Sequence, residues 1–137
     1  MFKLDLPWLY YGLALSQALH STEEVLTRLW VWMPRVTAAW HTQVSWIPVL
    51  SGWGETNFAA ANLVIVTGLL ALMPFVFLRR PWALKLAFGI AVIEIANGAG
   101  HLAAALFVRG YFPGVLAGIG LLVFGVWFVL RWRMERV

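Results

Sequence analysis

None of the 137 residues is a cysteine. That excludes disulfides, cysteine nucleophiles and thiolate metal sites together, so any metal ion must be held by nitrogen and oxygen ligands. Charge is nearly as scarce: 12% of residues are charged against 62% hydrophobic, and the mean hydropathy is +0.81. Such a balance lies outside the soluble range and reads as an integral membrane protein. The net charge of +4 comes from basic residues at the ends of apolar runs, where topology signals belong, which argues against nucleic acid as a partner. With only 6 acidic residues and 3 histidines in the chain, any clustering of them carries information.

Four apolar runs are expected to be helices. The first spans Trp8 to Met33, with Pro7 in its first turn and Pro34 ending it, and no cleavage pattern marks it as a removed signal peptide. Asn57 to Leu78, Trp82 to Phe107 and Val115 to Leu130 follow, each close to the ~20 residues that a spanning helix needs. Between the first two, Pro34 to Thr56 carries Trp40, Trp46 and Trp53 among polar residues, a composition suited to the membrane–water interface, and is expected to cap the protein there. The expected fold class is therefore all-α: an integral membrane four-helix bundle with an interfacial Trp-rich segment, residues 1–137 forming a single transmembrane domain. An even number of spans puts Lys3, Arg79, Arg80, Lys85, Arg131, Arg133 and Arg136 on one side, against Arg28, Arg35 and Arg109 on the other. The positive-inside rule then places both termini in the cytoplasm, in a bacterial or archaeal cell membrane.

Two polar clusters interrupt this scheme. His20, Glu23 and Glu24 are related as i, i+3 and i+4, so they project from one face of the first helix within a turn. A charged side chain near the middle of a membrane helix costs about 2.5–3.5 kcal/mol on insertion scales, so something must compensate them. Glu94, Asn97 and His101, at i, i+3 and i+7, form one stripe on the third helix. At ~1.5 Å per residue Glu94 and His101 lie roughly 18 and 28 Å from Trp82, and His20 and Glu24 roughly 18 and 24 Å from Trp8, so the clusters fall at matching depth. The bland alternatives are a polar network bridged by Arg28 for the first cluster and interhelical hydrogen bonding for the second. His41 reads as an interfacial loop residue, and Asn57 and Asn62 as packing or cap residues.

These residues resemble a known family. His20-Ser21-Thr22-Glu23-Glu24, Asn97-Gly98-Ala99-Gly100-His101 and Tyr111-Phe112-Pro113-Gly114 are similar, in order, to the HxxEE, NxxxH and YxPG motifs of the HXXEE-domain family of small predicted membrane proteins. The resemblance implies a shared site at these positions. A plain interfacial turn would also account for the last motif.

The chemistry must come from the ligands themselves. Two imidazoles and three carboxylates, His20, Glu23, Glu24, Glu94 and His101, suit one or two divalent ions, zinc first and iron or manganese next. A carboxylate left over acts as general base, and Glu94 is the candidate, with Asn97 and Tyr111 as donors to a developing oxyanion. The expected function is a metal-dependent membrane hydrolase acting on a lipophilic or amphipathic small molecule or lipid. Two other readings stay open: a proton or metal-ion transporter, since membrane carboxylates and histidines also form relays, and a carboxylate-bridged iron oxidoreductase.

Overall fold

The computed structural model describes residues 5–135, and Lys3 and Arg136, used above to orient the chain, lie outside them. Five helices follow in order: α1 Leu6–Leu26, α2 Leu29–Gln43, α3 Glu55–Phe77, α4 Pro81–Val108 and α5 Val115–Glu135. The described residues include no strand. Three helices, α3, α4 and α5, are long and apolar enough to cross a membrane. At 21 residues α1 is as long as α5, but Gln17, His20, Glu23 and Glu24 leave it less apolar than those three.

The first helix does not run to Met33. It stops at Thr27, and Arg28 takes the left-handed conformation with φ 57°. Pro34 lies inside α2 rather than ending a helix. A left-handed non-glycine residue costs roughly 1–2 kcal/mol, and Thr27, whose hydroxyl turns back to the Glu23 carbonyl at 2.6 Å, gives only a weak local signal to break. Tertiary packing decides instead. The bend lets Leu29 and Val36 join Phe58, Ala104 and Phe112 in a second small core at this end of the molecule. Burying such side chains from water stabilises by about 1.5–3 kcal/mol each, enough to outweigh the bend. The segment expected as a mixed cap is thus helical to Gln43 and irregular only from Val44 to Gly54.

The other boundaries follow local rules. Pro81 opens α4 in its first turn, where a missing N–H costs nothing. Its end is closed by Arg109 in the left-handed region and by the Gly110 N–H donating to the Ala105 carbonyl at 3.1 Å.

Leu6, Leu9, Tyr10, Leu13 and Ala14 of α1 are fully or nearly fully buried and form the middle of the main core. α5 packs along both α1 and α4, and α3 packs on α1, whereas α3 and α4 touch little. Close approach of α4 and α5 relies on Gly98, where a side chain would collide with the Gly118 carbonyl. At one end of the molecule Arg79 pairs with Asp5 at 2.9 Å and with Glu135 at 3.4 Å. The start of α1, the α3–α4 link and the end of α5 therefore share one end, as the even-numbered arrangement requires.

Candidate metal centre

The helical spacing of His20 and Glu24 on α1 puts both on the face turned toward α4 and α5, and α4 brings His101 to meet them. Glu24 Oε1 lies 3.1 Å from His20 Nε2 and 3.0 Å from His101 Nε2. All three residues are buried, and one ligand atom from each lies within 4.8 Å of the others. The imidazole rings stand edge to face with centroids 4.4 Å apart.

The opposite ring nitrogens fix the chemistry. His20 Nδ1 is 2.9 Å from the Gly114 carbonyl oxygen, and His101 Nδ1 is 2.6 Å from that of Pro113. A carbonyl oxygen only accepts, so each Nδ1 carries the proton and donates. In neutral imidazoles each Nε2 then presents a lone pair to the centre, and the carboxylate of Glu24 presents another. Despite the short distance to Glu24, His20 Nε2 is buried and has no partner in hydrogen-bond geometry. Three such acceptor atoms repel one another unless a proton or a metal cation lies between them. Around a tetrahedral zinc with ligand bonds of about 2.0–2.1 Å, neighbouring donor atoms sit about 3.3 Å apart, close to the two separations from Glu24. The His20, Glu24 and His101 group could thus hold a metal ion, and the Nδ1–carbonyl bonds are the outer contacts that orient ligating histidines.

Gly114 shapes this centre. Its φ of +86° favours glycine, and a Cβ there would lie 2.7 Å from both imidazole rings. The PG of the Tyr111–Gly114 motif therefore supplies two orienting carbonyls and the space for two rings, a role hidden from a reading of that motif as a turn.

The remaining sequence candidates are placed elsewhere. Glu23, expected as a ligand, points to the start of α5, where it accepts hydrogen bonds from the Ala117 N–H at 2.8 Å, the Leu116 N–H at 3.3 Å and the Tyr111 hydroxyl at 2.7 Å. A carboxylate at a helix N-terminus satisfies orphan donors and complements the dipole. Tyr111, expected as an oxyanion donor, is committed to this cap, and partial burial together with the Glu23 carboxylate pushes its phenol above the ordinary value. Glu94 is buried on α4, outside the three-residue group, and accepts from Asn97 Nδ2 at 3.3 Å. Among the described residues no ion pair links Arg28 to Glu23 or Glu24, so the bridge imagined for that arginine is absent. His41 binds the Ile47 carbonyl in the exposed cap.

A cavity of about 360 Å³ reaches Glu24, Asn97 and His101 from beneath α2. Met33, Trp40, Phe58 and Phe112 line its apolar wall, and the Leu50 N–H donates to Thr37 Oγ1 at 2.9 Å, tying the irregular segment over it. Of these wall residues Phe112 belongs to the Tyr111–Gly114 motif and Trp40 to the Trp-rich segment, but none was expected from the sequence to line a cavity.

The family model described as "Protein of unknown function with HXXEE motif" matches residues 11–128. The chain belongs to the HXXEE family. The matched span includes every residue of the centre, with the His20 and Glu24 of the HXXEE motif itself as two of its three ligand candidates. No curated protein and no solved structure matches the chain.

Proposed function

We propose that this HXXEE protein is a metal-dependent membrane enzyme, a hydrolase of lipophilic or amphipathic small molecules, with one zinc ion held by His20, Glu24 and His101. The observation that carries this reading is the convergence of three buried ligand-capable side chains at the end of an apolar cavity of about 360 Å³. Three protein ligands leave a tetrahedral ion one open position, as catalytic rather than structural sites do. When bound, such an ion supplies Lewis-acid polarisation of a carbonyl or a water molecule.

The chain's own residues do the rest. Met33, Trp40 and Phe112 exclude bulk water and take up the apolar part of the substrate. Asn97 Nδ2 holds one oxygen of Glu94 and leaves the other to accept a proton, and Asn97, at the cavity wall, donates to the oxygen on which charge develops. In this reading α1, α3, α4 and α5 span the membrane with both termini cytoplasmic, and α2 with the Trp-rich segment lies at the opposite interface, where Trp46 is 81% exposed.

The test is a panel of lipophilic esters and amides incubated with zinc-loaded protein and with the Glu94→Gln variant. Turnover by the wild type, abolished in the variant with metal retained, is the expected result. Equal product from both proteins would remove Glu94 as the base, and no turnover together with proton or metal flux across liposomes would replace the enzyme by a transporter.

A further inference from the structure

A second cleft, of about 450 Å³, opens between α3 and α4. These helices are joined by a short link yet touch little, because α4 gives its small-residue face to α5 and α3 packs on α1. Val64 and Leu72 from α3 and Leu86 and Ile93 from α4 form its walls, and Gln17, Glu94 and Asn97 its polar floor. Val64 and Ile93 are exposed, so the mouth faces sideways, outward from two helices that are each apolar enough to span a bilayer.

The floor is rich in acceptors. Gln17 is 2% exposed, and its Nε2 donates to Ser21 Oγ at 3.1 Å, while its Oε1 has no partner. Glu94 receives a side-chain hydrogen bond from Asn97, and among the described residues it has no ion-pair partner. An unpartnered amide oxygen and a carboxylate with no ion pair among the described residues, both in a low-dielectric setting, suit a group that brings several donors and a positive charge.

We propose that the α3–α4 cleft binds a single-chain amphiphile with a primary amine head, its chain between α3 and α4 and its ammonium on Gln17 Oε1 and Glu94. A hydroxyl head offers one donor and no charge, whereas an ammonium offers three donors and cancels the carboxylate. The site holds whether or not His20, Glu24 and His101 carry an ion; because it shares Glu94 with the reaction proposed above, an ammonium bound here would inhibit that reaction.

The experiment places the whole protein in phosphatidylcholine nanodiscs with a dodecylamine bearing a photoactivatable diazirine near its chain end, and maps crosslinks by mass spectrometry. Crosslinks should fall on residues 64–72 and 86–93, and dodecylamine should compete at a concentration at least about tenfold below that of dodecanol, given charge-assisted bonding. Glu94→Gln and Gln17→Leu should each weaken labelling. Gly68→Phe should abolish it without changing metal content, because Gly68 lines the cleft and a side chain there meets nothing within 4 Å. Equal competition by dodecanol, labelling unchanged in both floor variants, or crosslinks confined to other helices would overturn the proposal.

Discussion

The imidazoles of His20 and His101 hang from two consecutive carbonyls, those of Gly114 and Pro113, and point their remaining nitrogens at one oxygen of Glu24. Two helices and one turn thus converge on a single point. The turn sets which nitrogen of each ring is free, so the centre depends on backbone geometry as much as on the ligand residues.

Gly114→Ala tests that dependence. The new Cβ would press on both rings and occupy a left-handed backbone position, so stability should fall by about 1–3 kcal/mol and metal content should fall with it. Gly110→Ala, whose Cβ would meet only the Val108 carbonyl at 3.9 Å, should preserve both. Thermal unfolding and metal analysis of the pair check this, and similar behaviour of the two variants would contradict the role given to Gly114.

Glu23→Ala should separate the two glutamates of the motif. Its loss uncaps α5 and frees the Tyr111 hydroxyl, which should lower stability by about 1 kcal/mol while bound metal stays unchanged. Loss of metal comparable to that in Glu24→Ala would return Glu23 to the ligand set.

Tyr111 gives a pH signature. Its folded-state pKa is raised, first by partial burial and then by the Glu23 carboxylate, so the neutral phenol is the form that the fold favours. The stability that this contributes is complete below the ordinary tyrosine value and is lost as pH rises through the higher folded value. Unfolding curves between about pH 8 and 12 should therefore show a larger loss in the wild type than in Tyr111→Phe. Superimposable profiles would remove the linkage.

Much of this architecture was legible in the sequence because its signals are local. The apolar runs gave α3, α4 and α5 to within a few residues, apart from the last turn of α5, and the i, i+4 spacing of His20 and Glu24 put both on one face of α1. The break at Thr27-Arg28 was not legible: Pro34 is the stronger local breaker, and the bend is decided by packing of Leu29 and Val36 on residues distant in the chain. Glu23 lies outside the three-residue group for a related reason. Helical spacing places it beside the cluster, and only the start of α5, far away in sequence, offers the N–H groups that claim it. Gly114 was visible as a turn glycine, whereas its contact with two imidazoles depends on α1 and α4 arriving together.

Elemental analysis after equilibration with zinc, counted per chain, tests the central claim most directly. The account predicts about one ion per chain, strongly reduced in His20→Ala and in His101→Ala and unchanged in His41→Ala, whose ring binds only the Ile47 carbonyl in the cap. Full metal content in a His20→Ala/His101→Ala double variant, or none in the wild type, would contradict it.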